Sequence, residues 1–191
     1  MKVSTNLKRA VFFDRDGIVS KPIDGNSPRK VKEVVLVEDI ATVVWAVREK
    51  GFMTFIASNQ PDISLRKIDE PTRESIENHL EVIFKNNNII FDAIYYCYHH
   101  ENGINPKYPK VCNCRKPKPG LLLKAAREYS IDLKQSYFIG DRAMDVKAGF
   151  LAGTKTILFD KDNTQGPYLR LHNVLPDFTI LNLHEAIKII S

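Results

Sequence analysis

Short apolar runs alternate along the chain with stretches whose apolar residues recur every three or four positions. The runs at residues 11–13, 52–57, 91–97, 136–139, 156–159 and 178–181 predict buried strands. The periodic stretches predict helices over about 38–50, 71–85, 121–129 and 144–151, with a terminal helix over 184–190. In the first of these helices Ile40, Val43, Val44 and Val47 share a face, and Gly51 stands where a C-cap glycine belongs. In the second, Ile76, Leu80, Ile83 and Phe84 share a face, and Pro71 suits the first turn. Gly153 closes the fourth.

Between these elements, residues 18–33 are rich in Pro, Gly, Asn, Asp and Lys and read as a flap or loop over the end of the first strand. Residues 34–37 read as a short strand or as the lead into the next helix, and 160–176 as loop. Residues 99–119 carry four prolines and no hydrophobic period, and a loop of that length in a compact domain needs a reason. Strands alternating with helices predict an α/β fold, a Rossmann-like three-layer sandwich around a mainly parallel sheet, in one domain over 1–191. Such sheets place their sites beyond the carboxyl ends of the strands. Asp14, Ser58 and Asp141 each follow an apolar run, so three strands deliver polar residues to one edge.

Composition narrows the partners. Hydrophobic residues make up 43% and charged residues 27% of the 191, a globular composition. Lys and Arg exceed Asp and Glu by five (28 − 23), which fits an anionic ligand; no basic block points to nucleic acid. The start of the chain, 1–9, is polar and lacks the apolar stretch of a secretory signal, and no apolar run is long enough to cross a bilayer. The expectation is a cytoplasmic monomer with no membrane partner. The three cysteines are an odd number, and two form one Cys-x-Cys, which suits metal ligation in a reducing compartment better than a disulfide framework.

The candidate chemistry starts at Val11-Phe12-Phe13-Asp14-Arg15-Asp16-Gly17. If extended geometry persists past the strand, Asp14 and Asp16 point to one side and Arg15 to the other. Carboxylates that close need a cation, and Mg²⁺ fits oxygen ligands. Gly17 permits a sharp turn. Taken alone, the string is also compatible with an ordinary Asp-Gly turn. With the rest of the chain it gains a chemistry. Asp14 can attack phosphorus, and Asp16 can protonate the leaving oxygen and then activate water. Asp141 can complete a Mg²⁺ site with Asp14 and the backbone carbonyl of Asp16. Ser58 can bond a phosphate oxygen, and Lys116 can offset phosphate charge. Asp145 is either a supporting carboxylate or a solvated helix residue. Cys97-x-His99 and Cys112-x-Cys114 form a Cys₃His set suited to a closed tetrahedral zinc site, which would explain an ordered long loop over 97–114. The alternative is a buried Cys97 and two unpaired thiols; His100 reads as a loop residue.

Phe13-Asp14-Arg15-Asp16-Gly17, Ser58-Asn59-Gln60, Arg115-Lys116-Pro117 and Gly140-Asp141-Arg142-Ala143-Met144-Asp145 resemble, in order, the four motifs of the haloacid dehalogenase (HAD) superfamily of phosphatases. The resemblance implies an aspartate nucleophile, Mg²⁺ and a parallel sheet with the nucleophile's strand at its centre. The spacings leave no room for a large cap domain. The cysteine-rich stretches are similar to the zinc-loop subgroup of that superfamily, whose activities are D-glycero-D-manno-heptose 1,7-bisphosphate 7-phosphatase and histidinol-phosphate phosphatase. What the resemblance implies is a phosphomonoester hydrolase with Mg²⁺ and Zn²⁺, acting on a small phosphorylated sugar, with a heptose bisphosphate first. It further implies phosphate or substrate contacts for Ser58, Asn59, Arg115 and Lys116, Arg115 facing the distal part of the substrate; Lys118 is a second candidate for the phosphate lysine. Two alternatives stay open: histidinol phosphate, whose amine Asp62 would meet, and a zinc-stabilised binding module with vestigial motifs. Two departures stand out: Ile18 replaces the usual threonine, and Pro61-Asp62-Ile63-Ser64-Leu65-Arg66 replaces the usual turn after Ser-Asn-Gln.

Overall fold

Ala10–Phe13 (β1) is apolar at every position and wholly buried. It lies inside a six-stranded parallel sheet of order β3-β2-β1-β4-β5-β6, with β2 Met53–Asn59, β3 Ala93–Cys97, β4 Tyr137–Gly140, β5 Lys155–Phe159 and β6 Phe178–Ile180. This computed structural model describes residues 7–108 and 111–191. Most of the polar start of the chain, 1–6, and residues 109–110 of the long loop lie outside the described residues.

Alternation along β1 builds two cores. Val11 and Phe13 face one cluster and Ala10 and Phe12 the other. On the first face lie α1 (Ile40–Glu49), α2 (Glu70–Asn86) and the short α6 (Ala186–Ile189), through Ile40, Val43, Val44, Val47, Ile76, Leu80 and Ala186. On the second lie α3 (Gly120–Tyr129) and α4 (Ala143–Ala152), through Leu121, Leu122, Ala125 and Ala148. Burying a phenylalanine such as Phe12 or Phe13 contributes about 1.5–3 kcal/mol, so β1 anchors both layers.

Local chemistry sets the helix ends as the pattern foretells. The Asp69 side chain accepts from Thr72 N at 3.0 Å, with Pro71 in the first turn. Gly51 and Gly153, at φ +81° and +88°, follow α1 and α4 in the left-handed region.

Three details differ from the sequence reading. β2 runs two residues further than 52–57, so Ser58 and Asn59 are its last residues, in register with Tyr96 and Cys97 of β3. The stretch 34–37 makes only a bridge from Leu36 to Ser20, and the flap carries a hairpin turn in which Ile23 pairs with Asn26 around Asp24 and Gly25, both at positive φ. Gly166–His172 (α5) is a helix inside the stretch read as loop; none of its residues is buried, so it has no apolar face to betray it. Among the described residues the sheet carries no domain-sized insertion over its carboxyl edge.

Candidate active site

β1 and β4 are neighbours at the sheet's centre, and Asp14 N donates to Ile139 O at 2.9 Å just beyond them. This contact sets Asp14 beside the loop carrying Asp141, at the point where the strand order reverses. Asp145, in the first turn of α4, accepts from Arg142 N at 3.0 Å and is buried. Carboxylate oxygens of Asp14, Asp141 and Asp145 lie within 4.8 Å of one another. Lys116 Nζ, itself buried, sits 2.9 Å from Asp14 Oδ1 and 2.6 Å from Asp145 Oδ1. Both contacts are ion pairs at angles outside hydrogen-bond geometry. Asp145 is therefore neither a solvated helix residue nor distant from the cluster.

One lysine does not balance three carboxylates. Burial, then Asp145 and Asp14, pushes the Asp141 carboxyl up to about 8, and burial pushes Asp145 up to about 6 against the pull of Lys116. Asp141 Oδ1 is buried and has no hydrogen-bond partner. An orphaned carboxylate oxygen within a cluster of carboxylates is what a hard divalent cation completes, so the donor set fits Mg²⁺. Gly17, at φ +97°, lies so close to Asp141 that a Cβ there would collide with its carboxyl.

Asp16 stands apart from this cluster, because extended geometry ends at Asp14. Arg15 does not point away from it; the guanidinium folds back and forks onto the Asp16 carboxylate through Nε and Nη2, both at 3.0 Å. Ser27 Oγ (2.7 Å), Gln60 Nε2 (2.8 Å) and Ser20 Oγ (3.0 Å) also donate to Asp16. Burial raises the Asp16 pKa, but Arg15 and the hydrogen bonds from Ser27 and Gln60 outweigh it, and the net direction is down. Arg15 in turn is buried beneath the Tyr96 ring, 5.5 Å from its centroid. Ile18, where a hydroxyl was expected, is fully buried in the apolar core, and Ser20 and Ser27 supply the hydroxyls around Asp16.

Ser58 is buried and accepts from Gln60 Nε2 at 3.1 Å. Asn59 uses both ends of its amide on the Lys116 backbone, Nδ2 to the carbonyl at 3.1 Å and Oδ1 from the N–H at 3.0 Å. It thereby fixes the position from which Lys116 reaches the carboxylates. Lys118 is tied elsewhere, donating to Cys112 O at 2.7 Å.

The four expected zinc ligands converge. Cys97 Sγ lies 3.7 Å from Cys112 Sγ and 3.0 Å from Cys114 Sγ, and His99 Nδ1 lies 3.2 Å from Cys114 Sγ and 3.7 Å from Cys97 Sγ. Ligands of a tetrahedral zinc bound at about 2.0–2.3 Å sit some 3.3–3.8 Å apart; the two 3.7 Å separations match that span, and the 3.0 and 3.2 Å ones would have to open slightly around the ion. The sulfurs are too far apart for a disulfide, and all three cysteines are free. Cys97 ends β3 beside Asn59, and Arg115 N donates to Cys112 Sγ at 3.3 Å, which ties the cluster to the site.

The cleft above Asp14 has a volume of about 180 Å³ and is lined by Ser58, Asn59, Arg115 and Lys116, with Lys67, His100 and Arg142 on its walls. Arg115 Nη1 donates to His99 O at 3.1 Å. Arg142 Nη2 donates to Gly25 O at 2.7 Å, tying the flap tip to the loop after β4. Asp62 is mostly buried and paired, 2.7 Å from Arg29 Nε and 3.7 Å from Lys67 Nζ. Sequence reasoning missed Arg15, Gln60 and Ser27 as partners of Asp16. The first two sit inside motifs and could have been asked for a role; Ser27 has no signal, because the flap's fold alone brings it there.

Comparison with known proteins agrees with this geometry. The family model described as HAD-hyrolase-like matches residues 113–186. The D-glycero-beta-D-manno-heptose-1,7-bisphosphate 7-phosphatase of Vibrio cholerae is 35% identical over 150 residues, 78% of this chain and 79% of that protein. The protein of the same name from Photorhabdus laumondii is 33% identical over 151 residues, with the same coverage of 78% and 79%. The crystal structure of D,D-heptose 1.7-bisphosphate phosphatase from B. bronchiseptica, complexed with magnesium and phosphate, superposes with a TM-score of 0.76 at 23% identity, over 94% of this chain and 96% of that one. That structural likeness speaks for the fold; the sequence likeness to the two curated phosphatases shows kinship, and this chain belongs to the HAD-like family of phosphatases.

Proposed function

We propose that this protein, a phosphomonoester hydrolase, removes the 7-phosphate of D-glycero-D-manno-heptose 1,7-bisphosphate through an aspartyl-phosphate on Asp14. Asp14 Oδ1 is held by Lys116 and by Arg15 N at 2.7 Å, which fixes the carboxylate, and no hydrogen bond from the described residues reaches Oδ2. The carboxylate attacks phosphorus, the bond to the sugar oxygen breaks, and Asp16 gives that oxygen a proton; for this Asp16 must first take up a proton from solvent as substrate binds, because Arg15 and its hydrogen bonds hold it as a carboxylate in the free protein. Asp16, again a carboxylate, then takes a proton from the water that attacks the acyl phosphate, releasing phosphate and restoring Asp14. Ser58 offers its hydroxyl to a phosphoryl oxygen, and Asn59 acts by holding Lys116 in place. Bound by Asp14, Asp141 and the Asp16 backbone carbonyl, Mg²⁺ would neutralise phosphoryl charge. Zn²⁺ on Cys97, His99, Cys112 and Cys114 would fix the loop from which Arg115 and Lys116 project.

The observation that carries the bisphosphate reading is the pairing of Asp62. Histidinol phosphate would want a free carboxylate for its amine, and Asp62, the candidate, already faces Arg29 and Lys67. The cleft wall that remains carries Arg115, Lys67 and His100, which suits a second anionic group. Ile18, a departure from the family's motif, is accounted for by its packing in the apolar core.

The test is initial rates of phosphate release with Mg²⁺ on the heptose bisphosphate, other sugar bisphosphates, monophosphates and histidinol phosphate. The heptose bisphosphate should give the highest kcat/KM. Charge-assisted hydrogen bonds contribute roughly 1.5–3 kcal/mol, so Arg115→Ala should cost about tenfold to a hundredfold on bisphosphates and much less on monophosphates. Equal losses on both, or a preference for histidinol phosphate, would sink the reading.

A further inference from the structure

The turn after Gln60 leads to Lys67, a cation with no part in the phosphoryl-transfer steps above. Pro61–Ile63 forms a 3₁₀ turn, closed by Leu65 N to Pro61 O at 3.0 Å and Lys67 N to Asp62 O at 2.9 Å. It is clasped from outside by the segment that bears the zinc-type cluster. Ile104 N and Asn105 N both donate to Ser64 O, at 2.8 and 3.0 Å, and Asn105 Nδ2 donates to Ile63 O at 3.3 Å. Gly103 packs so closely here that a Cβ would lie 2.9 Å from His100 O and 3.4 Å from the Ser64 side chain. The turn and the loop therefore hold Lys67, His100 and Arg115 as one wall of the cleft.

Availability separates this wall from the other cations of the site. Lys116 is buried between Asp14 and Asp145, and Arg142 is tied to the flap. The Lys67 side chain is 43% exposed, and its Nζ lies 3.7 Å from Asp62 Oδ1, whereas Arg29 Nε meets the other oxygen of Asp62 at 2.7 Å. Lys67 can turn to a ligand without leaving Asp62 uncompensated. The His100 ring accepts at Nδ1 from Asn102 N at 3.0 Å, so a neutral ring carries its proton on Nε2 as a donor. Among the described residues Arg115 spends one side-chain N–H, on His99 O.

We propose that Lys67 and His100 join Arg115 in a subsite for the phosphate of the substrate that is not transferred, with Lys67 the residue that sets the preference for bisphosphates. The subsite rests on the bisphosphate reading. Lys67 supplies a mobile point charge, Arg115 the planar fork, and His100 a neutral donor.

The test compares kcat/KM for a sugar bisphosphate with that for the monophosphate lacking the distal phosphate, in wild type, Lys67→Ala, Lys67→Gln, Lys67→Arg and His100→Gln, all with Mg²⁺. In Lys67→Ala and Lys67→Gln the ratio should fall about tenfold, mainly through KM, and Lys67→Arg should recover most of it. His100→Gln should lower it by about threefold. Competitive inhibition by the product that keeps the distal phosphate should weaken in parallel. Damage to the fold lowers both rates and cancels in the ratio, and two neutral variants guard against one that fails to fold. A wild type without preference for the bisphosphate would overturn the reading of the active site and the subsite with it. A wild type that prefers the bisphosphate, beside Lys67 variants that keep that preference, would overturn the subsite alone.

Discussion

Magnesium-free protein should lose stability as the pH rises from about 5 to about 7, and Mg²⁺ should remove that loss. Burial, reinforced by the neighbouring carboxylates, raises Asp141 to about 8 and Asp145 to about 6, from an ordinary value of 3.8. The folded chain thus holds protons that the unfolded chain has released. Their stabilisation is fully present below the unfolded value and disappears as the pH climbs through the folded ones. Each retained proton corresponds to about 1.4 kcal/mol per pH unit. The two carboxyls titrate as a pair, so one shared proton across two pH units gives a loss of about 3 kcal/mol. For a chain of this length that lowers Tm by roughly 6–12 °C.

The assay is a set of thermal melts in Mg²⁺-free buffer and again with saturating Mg²⁺. A chelator must be avoided, since it would also strip the Cys₃His set. Other groups shift with pH and are separable because they lie outside the carboxylate cluster; Cys114, lowered to about 5 chiefly by its hydrogen bond with Cys97, adds stability as the pH rises from about 5 toward its ordinary 9. His100 is lowered by burial, then by Arg115, so its contribution grows as the pH rises through that lowered value and is complete above its ordinary 6.5, and it is not a member of the carboxylate cluster. Asp16 is lowered, so its contribution is lost only in acid below the ordinary 3.8. The difference between melts with and without Mg²⁺ therefore isolates the cluster, and Asp141→Asn should flatten it. A stabilisation by Mg²⁺ that fails to grow from about pH 5 to 7, or one that grows in Asp141→Asn with the wild-type slope, would refute the argument that these carboxylates are pressed together awaiting a cation.

Asp14→Asn should keep the fold and lose turnover, because an amide cannot attack phosphorus; more than trace phosphate release by the purified variant would remove Asp14 from the nucleophile's role. Cys112→Ser should release zinc and lower Tm, and because Arg115 N bonds to Cys112 Sγ it should also weaken activity. Elemental analysis finding no zinc in carefully prepared wild type would defeat the zinc assignment.

Most of the fold was legible because the two periods differ so sharply. Every position of β1 is apolar, and Ile40, Val43, Val44 and Val47 all turn out buried at the spacing that announces a helix. The helix at Gly166–His172 was illegible for the converse reason: Tyr168 and Leu171 are 56% and 78% exposed, so no burial disciplines its pattern. In the site, residues at strand ends were readable because the parallel sheet fixes where strand ends go. Asp14, Ser58 and Asp141 and the four cluster residues all reach the places their spacing suggested. What could not be read was direction. Alternation put Arg15 opposite Asp16, yet the chain leaves the strand at Asp14, and the guanidinium is free to fork onto its neighbour. Ser27 and Lys67 depend on how a flap and a turn fold over the sheet, which no local pattern encodes.

Charge pairing around the cleft explains why the site holds together and where it is left open. Asp16 has Arg15, with three neutral donors filling its remaining positions. Asp62 has Arg29 at close range and Lys67 at long range. Asp14 and Asp145 share Lys116, which Asn59 holds by its backbone. Among the described residues Asp141 has only Arg142 at 4.0 Å from Oδ2, a loose contact on a side chain already committed to the flap, and no hydrogen bond to its buried Oδ1. A carboxylate oxygen buried without a hydrogen bond is costly when ionised, so without a cation Asp141 holds its proton up to about pH 8. The uncompensated charge therefore falls where a divalent cation would complete the set, beside the carboxylate proposed to attack. Lys67, which lines the same cleft and pairs only loosely with Asp62, is the cation proposed to meet the substrate's other phosphate.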